Sequence, residues 1–427
     1  MLVLNDEHTR LTPSESLMKS TNPFAPLANK GFRALVVTFA LSMMADNIEH
    51  VISYWMMYNK FHSPLLGGFA VLSHWLPFLF FSVPVGILGE RFDPRRLIQI
   101  GMVLFASASL GWGYFFLTDS LQMWQAMLLL VVHGCAGVFW HTATQILLHD
   151  VVSLEELPSA VRLLATSRYL GVLVGPAVGG VLLVWFGPTY GIFLNAFFYV
   201  PTFVWLINAP YGPAFNGATR AFKIPMRGLS DLHATLKEVS GLPIIYSMVL
   251  LAGATSFIVG NSYQAQMPAF AQDLGHANPG VLYSMLLAAD AAGAMFAGLV
   301  ISNKGIMKAK PQTALVMAGG WSLVLSLFAM TDQYVFALIL LFIAGFLELS
   351  FNSMAQTLVQ LNAPATHRGR IIGLFNMSSL GMRAGSGITV GLIGGLIGVH
   401  LSLGLAGLVL VCFVGLIFFN FKFESPV

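Results

Sequence analysis

Between residues 32 and 421 the chain is a succession of long apolar runs separated by short polar segments. An apolar run of about twenty residues crosses the ~30 Å hydrocarbon core of a bilayer as a helix. Inside lipid every backbone polar group must be satisfied within the protein, so only helices and closed barrels span it. These runs are continuous rather than ~10-residue alternating segments, which excludes a β-barrel. Charged residues make up only 9% of the chain, against 56% hydrophobic. A soluble domain carries roughly 25% charged residues, so this chain cannot cover a water-facing surface of its size. An ordinary cytosolic enzyme, a disordered chain and a nucleic-acid binder are thereby excluded. The expectation is an all-α integral membrane protein.

The apolar runs predict spans at 32–58, 67–89, 97–117, 122–148, 158–186, 189–208, 243–270, 279–302, 312–331, 334–360, 368–396 and 399–421. A polar stretch divides them into two sets of six. The expected organisation is a tail over 1–31, a six-helix bundle over 32–209, a linker over 210–242, a second bundle over 243–421 and a tail over 422–427. Of the 21 basic residues only Lys60 falls on the outer side, and Arg168 and Arg383 fall deep within spans, whereas Arg33, Arg162, Arg368 and Arg370 sit at the inner ends of theirs. The others cluster in the tails and in alternate loops, including Arg220, Lys223, Arg227 and Lys237 in the linker and Lys304, Lys308 and Lys310 after span eight. By the positive-inside rule both termini are cytoplasmic. The first residues are polar and contain no apolar signal core, so a cytoplasmic tail is expected. Cys135 and Cys412 lie in apolar runs and form no CxxC or disulfide pattern. Trp55, Trp112 and Trp124 fall near outer span ends, where interfacial anchoring is expected.

The two sets of spans echo each other. Leu170-Gly171 through Gly175 in span five matches Leu380-Gly381 through Gly385 in span eleven, and Gly86 at the end of span two matches Gly298 at the end of span eight. A parallel repeat implies a pseudo-two-fold along the membrane normal and a substrate site between the halves.

Loop 2–3 reads Gly86-Ile-Leu88-Gly-Glu90-Arg91-Phe-Asp93-Pro-Arg95-Arg96-Leu97. A small residue there permits close helix approach, and a carboxylate among arginines forms a charge cluster that can switch. This loop resembles the GxLaDrxGrrxxl signature of the major facilitator superfamily, matching at Gly86, Leu88, Arg91, Arg95 and Arg96. Glu90 stands for the usual Asp, and Asp93-Pro94 replaces the usual Gly. Span five carries Gly171-Val-Leu-Val-Gly175-Pro176-Ala-Val-Gly179-Gly180, which resembles the GxxxGPxxGG antiporter signature of the same superfamily. Gly171, Gly175 and Gly179 line one face and admit a neighbouring backbone; Pro176 is expected to kink the helix. Glu155-Glu-Leu-Pro-Ser-Ala160, Asn195-Ala196 and Arg368-Gly369-Arg370 are similar to the branch that contains the enterobactin exporter and macrolide-type efflux pumps. The resemblance implies twelve spans in two bundles, a cytoplasmic latch at Glu90, and export more than import. The partner expected for Glu90 is the start of span eleven, near Arg368 to Arg370, whose cations and helix N-terminus favour an anion.

A charge at mid-bilayer costs at least about 2.5–3.5 kcal/mol, so each intramembrane ionisable group needs a reason. Asp46, Glu49 and His50 share one face of span one, extended by Tyr54. The resemblance places spans one and four at the cavity, so this face is a candidate proton-coupling and substrate surface. Arg168 lies at a similar depth in span five, where an Asp46–Arg168 ion pair is the structural alternative. Glu49 and His50 have no evident basic partner. In the second half Glu348, Asn352 and Gln356 recur on one face of span ten; span seven offers Asn261, Gln264 and Gln266; and Asp290, Glu348 and Arg383 fall near mid-depth. Two acids with one base imply that one acid is paired and the other free to carry a proton. An inert packing network is the alternative.

Histidines His50, His74, His133 and His141 all lie in the first half. Imidazole and carboxylate suit divalent transition metals, but no pair has the HxxxH spacing of a one-helix site, so no metal ligands are assigned. No cofactor is expected. The chain has no GxSxG, P-loop, GxGxxG strand–helix turn or HExxH, so it is not expected to be an enzyme, and ATP is not its direct energy source.

The leading expectation is a monomeric secondary transporter of the cell inner membrane. Its partners are a small-molecule substrate, protons and the bilayer, with no nucleic acid. It exports a small amphiphilic compound, a siderophore or drug-like molecule, by alternating access. The alternatives are import of a ferric siderophore or other nutrient, transport of a divalent metal or lipid, and a transporter-like sensor or flippase without ion coupling.

Overall fold

The computed structural model describes residues 24–61, 64–212, 229–274, 279–301 and 309–421. The tail residues Arg10 and Lys19, the linker residues Arg220, Lys223 and Arg227, the loop residues Lys304 and Lys308, and Lys422 lie outside the described residues. No strand occurs among the described residues, and nine helices among them are long and apolar enough to cross a membrane. That number is smaller than the number of predicted runs for three reasons. Spans five and six follow each other closely enough to count as one apolar run, Leu157–Asn208. Span eight is the helix Pro279–Ile301, of which Met285–Leu299 is the described apolar part. Span eleven is divided by two π-helical stretches, Met377–Gly381 and Gly387–Leu392.

The breaks follow local chemistry. The helix Leu157–Phe197 is non-helical only at Gly187, with φ 70°, immediately before Pro188. Glycine adopts that conformation without steric cost, and the proline cannot continue the preceding hydrogen-bond ladder. Pro176 sits inside continuous helix. Span seven is interrupted after Pro243–Ile258 by Gly260, with φ 50°. The short helices Ser262–Ala265 and Met267–Asp273 follow, so the polar Asn261–Gln266 stretch comes at a break rather than mid-helix. Loop 2–3 turns without the family glycine because Asp93 caps the next helix. Its carboxylate accepts from the Arg95 backbone N–H at 3.0 Å, and Pro94 occupies the first turn.

Buried apolar side chains gather in separate clusters, two within the first six spans and one large cluster in the second six, which Val83 and Ile87 of span two join. Trp112 departs from the interfacial expectation. It is fully buried against Phe116, whereas Trp55 and Trp124 are exposed. Lys60, the base expected on the outer side, pairs with Asp119 at 2.6 Å, and the ammonium holds that loop carboxyl below its usual range.

Between lipid-embedded helices there is little water-exclusion drive, so close packing and hydrogen bonds hold the bundle. Glycines supply the closeness. In span five a Cβ at Gly171 would meet Met43 Cβ at 2.7 Å, and one at Gly175 would meet Asn47 Cβ at 2.6 Å. One at Gly179 would reach Val51 Cβ at 3.2 Å, while Gly180 has nothing within 4 Å. The stripe therefore seats span five on span one within the first half. Span eleven carries a second set facing the other half. Gly369 lies against the Gly86 backbone, Gly373 against Ser82, and Gly381 against Leu79 Cα, where a Cβ would come to 2.5 Å. Gly298 of span eight lies likewise against Thr166 of span five.

Candidate functional site

Three polar assemblies lie inside the bundle, and a charge pair closes the end that carries the basic loops.

The first assembly is centred on His133 of span four. Its Nε2 is 2.8 Å from Asp46 Oδ1 and its Nδ1 is 2.9 Å from Glu49 Oε1. Ser109 donates to the other Glu49 oxygen, and Asn195 Nδ2 donates to Ser109 Oγ at 3.2 Å. Asp46, Glu49 and His133 are each no more than 3% exposed. A ring that donates from both nitrogens is an imidazolium; a neutral ring donates once and needs a proton on the facing carboxyl for the second contact. Either way the three groups hold two protons and a net charge of about −1. His50 and His74 complete the cluster. The His50 ring stacks on Tyr54 with centroids 5.1 Å apart and lies 5.0 Å from the His74 ring and 4.9 Å from that of His133. One ligand atom each from Asp46, His50, His74 and His133 lie within 4.8 Å of one another. Single-helix spacing missed this set because three helices contribute to it.

The Asp46–Arg168 ion pair, the structural alternative to a proton site, does not form. Asp46 is satisfied by His133, and Glu49, which lacked an evident basic partner, shares the same ring. Arg168 instead lines a cavity between the halves.

That cavity is the second assembly. It holds about 700 Å³, counting its open part, and is bounded by Arg168, His141, Gln145, Tyr169, Asn352, Asn376 and Arg383 among others. Its lining includes two guanidiniums and no carboxylate. Gln145 donates to His141 Nδ1 and to Asn376 Oδ1, both at 3.1 Å, and Asn376 donates to Thr142 at 3.2 Å. His141 thus belongs to this inter-half network and not to the His133 cluster. Arg383 makes no ion pair with Asp290 or Glu348 among the described residues. It lies over the Trp75 ring of span two at 5.0 Å and donates Nε to Ser379 O at 3.1 Å, while its Nη1 is buried without a hydrogen-bond partner. The aromatic face of the opposite half takes the place of the expected acid.

The third assembly joins the two acids of the second half. Tyr263 Oη is 3.1 Å from Asp290 Oδ2 and 3.3 Å from Glu348 Oε2. Gln264 donates to Asp290 Oδ2 at 3.0 Å, and Asn261 donates to Gln264 at 3.2 Å. Tyr263 carries one hydroxyl proton, so the second acid contact is satisfied when that carboxyl has a proton of its own. Sequence patterning overlooked Tyr263, although an aromatic hydroxyl among three amides next to a glycine break is a usable signal. Span spacing gave no sign of Ser109 or Asn376.

At the basic-loop end Glu90 accepts from the Arg370 backbone N–H at 2.9 Å and from its Nη2 at 3.1 Å, both side chains being largely buried. Its cation comes from the start of span eleven in the other half, where the sequence places its partner. Arg95 is held by Asp93 and by Ala209 O, Arg96 Nη1 donates to Gln99 at 2.9 Å, and the Nε and Nη2 of Arg91 are buried without hydrogen bonds. A pair that joins the halves in this state alone biases the equilibrium between states, typically by about 1–3 kcal/mol. Glu90→Ala is expected to lower turnover in vesicles about fivefold to a hundredfold, with substrate affinity by calorimetry nearly unchanged. Loss of affinity with normal turnover at saturation would reject the latch.

The family model of the Major Facilitator Superfamily matches residues 34–384. The chain is 24% identical to an enterobactin exporter of Shigella boydii serotype 4 over 374 residues, covering 86% of this chain and 85% of that one. It is 24% identical to an enterobactin exporter of Escherichia coli O81 over 319 residues, covering 73% and 72%. Among solved structures it is similar to the human organic anion transporter MFSD10, with a TM-score of 0.69 at 14% identity over 91% of this chain and 99% of that one. It is also similar to the E. coli fucose:proton symporter FucP, with a TM-score of 0.67 at 12% identity over 90% and 98%. Helices that bury their own backbone groups, two glycine-lined seams between the halves and an inter-half cavity are what this match covers, and the chain belongs to the Major Facilitator Superfamily, as a multi-pass membrane transporter and not an enzyme.

Proposed function

We propose that the protein is a proton-coupled exporter of the inner membrane that moves a small amphiphilic anion, of siderophore or drug-like type, by alternating access. The observation that carries this is the inter-half cavity, where Arg168 and Arg383 converge with no carboxylate in the lining. Guanidiniums present a planar donor fork suited to oxyanions, and the buried unpartnered Nη1 of Arg383 gains a hydrogen bond when such an anion arrives. Similarity to enterobactin exporters supports export of a siderophore-type compound. With the Glu90–Arg370 end taken as cytoplasmic, the molecule has that side shut.

Proton coupling is assigned to the Asp290–Tyr263–Glu348 group. Two acids share one hydroxyl there, and neither has an ion-paired cation among the described residues. A carboxyl at such a place gains or loses a proton as the surrounding helices move.

The test is flux of enterobactin in proteoliposomes under an imposed pH gradient of either sign. Export coupling predicts substrate movement against the proton gradient. Glu348→Gln is expected to cut gradient-driven flux by about a hundredfold, the scale of 3 kcal/mol lost from the driving step, while substrate exchange without a gradient persists. Flux by the wild type that ignores the gradient would reject proton coupling, and a gradient response of the opposite sign would make the protein an importer.

A further inference from the structure

We infer that Asp46, His50, His74 and His133 form a binding site for a divalent transition metal ion of the Zn²⁺ class. The inference is independent of which compound the cavity carries.

Three imidazoles and one carboxylate form a donor set suited to Zn²⁺ and its neighbours; Mg²⁺ and Ca²⁺ take all-oxygen shells. Ligand atoms 4.8 Å apart at most are already nearly gathered. Bonds of about 2.0–2.1 Å in a tetrahedron place neighbouring ligand atoms about 3.3 Å apart, so rotamer adjustments of an ångström or so close the shell.

Two further observations point the same way. His74 Nδ1 is buried and makes no hydrogen bond. Such a nitrogen is costly to leave unpaired in an apolar interior, and coordination relieves the cost. His133 is meanwhile held from behind: its Nδ1 faces Glu49, whose other oxygen accepts from Ser109, which in turn accepts from Asn195. A carboxylate on the far nitrogen of a ligating imidazole fixes the tautomer and raises ligand basicity. That arrangement directs the Nε2 lone pair toward Asp46 Oδ1, where the ion sits. The ion takes the place of the proton between Nε2 and Oδ1, and that proton leaves to solvent.

Charge favours the exchange. Asp46 and Glu49 bring two negative charges into a region with almost no exposure, and one divalent cation cancels them. A neutral assembly is cheaper to bury at membrane depth than one carrying net charge. His50 and His74 are only partly buried, in contrast to Asp46 and His133, and give the ion its way in.

The experiment uses the full chain in detergent, freed of its affinity tag and treated with chelator, titrated with Zn²⁺ by calorimetry and with Co²⁺ by visible absorption. The expected result is one Zn²⁺ per chain with a Kd of about 1 μM or tighter, and Co²⁺ ligand-field bands of a four-coordinate nitrogen–oxygen site. Because His74 Nδ1 makes no hydrogen bond, His74→Ala is expected to weaken binding at least tenfold with helicity unchanged. Glu49→Gln, acting through His133, should weaken it about 10–100-fold. His141→Ala, on the same helix as His133 but outside the cluster, should bind as wild type does. If His74→Ala does not fold, His50→Gln replaces it and the Co²⁺ spectrum of the wild type decides the donor set. Absence of saturable Zn²⁺ binding by the wild type, or wild-type affinity in both His74→Ala and His50→Gln, overturns the site.

Discussion

Gly86→Leu is expected to reduce net transport about a hundredfold, the population change for about 3 kcal/mol of overpacking, without loss of helix content. A Cβ at Gly86 would fall on the Gly369 carbonyl, with the Arg370 Cα at 3.2 Å behind it. The obstacle is backbone, so no side-chain rotation relieves it. The relation is reciprocal, since a Cβ at Gly369 would fall on the Gly86 carbonyl and lie 2.7 Å from Glu90 Cγ. Spans two and eleven belong to different halves, so the substitution opposes the state in which this end is shut and leaves each bundle intact. The Glu90–Arg370 pair sits on the same seam and would part with it. Gly86→Ala should give a smaller defect in the same direction. A cysteine introduced at Asn352, in the cavity lining, is expected to label faster from the Glu90 side in Gly86→Leu than in the parent. Parental flux and parental labelling in a well-expressed Gly86→Leu protein would show that the two halves do not need to meet here.

Gly175→Leu should fail differently. Its neighbours are Asn47 Cβ at 2.6 Å and Met44 O at 2.9 Å, both in span one of the same half. In this chain the span-five stripe is an internal joint of one bundle and not a surface on which the halves move. A Leu there is expected to cost about 3 kcal/mol or more, because the backbone of span one cannot retreat without disturbing Asp46 and Glu49 of the same helix, which hold His133 of span four. The measurable result is a protein that inserts but aggregates at lower temperature in size-exclusion chromatography, with transport lost as a consequence. Gly180→Leu is the internal control. It has open space where a side chain would go, so its stability should stay within about 0.5 kcal/mol of the parent. Equal thermal stability of Gly175→Leu and Gly180→Leu would reject the span-one joint.

Much of the architecture was legible without coordinates. Run length and the distribution of Lys and Arg need only the bilayer's thickness and its cost for charge. The helix end before Pro188 and the glycine face of span five follow from local sterics. Helical periodicity also placed Asp46, Glu49 and His50 on one face, and two of these three do meet the same imidazole.

The partners were a different matter. The start of span eleven was legible as the partner of Glu90, but Asp46 could face Arg168 or His133, and Arg383 could face an acid or an aromatic ring. The structure chose His133 and Trp75. It also brought His50 and His74 into contact across two helices, drew Tyr263 between two acids, and buried Trp112. Periodicity fixes only which residues share a face. Which face meets which depends on the rotation and crossing of whole helices, and these are set by packing contacts tens to hundreds of residues apart, such as the 280 that separate Glu90 from Arg370. The amino-acid sequence by itself therefore determined a two-fold array of membrane helices and the faces that carry its charges, while the choice of partner for each charge belonged to the tertiary structure, because in a medium without water a buried charge takes whatever counter-group the helix packing brings within reach.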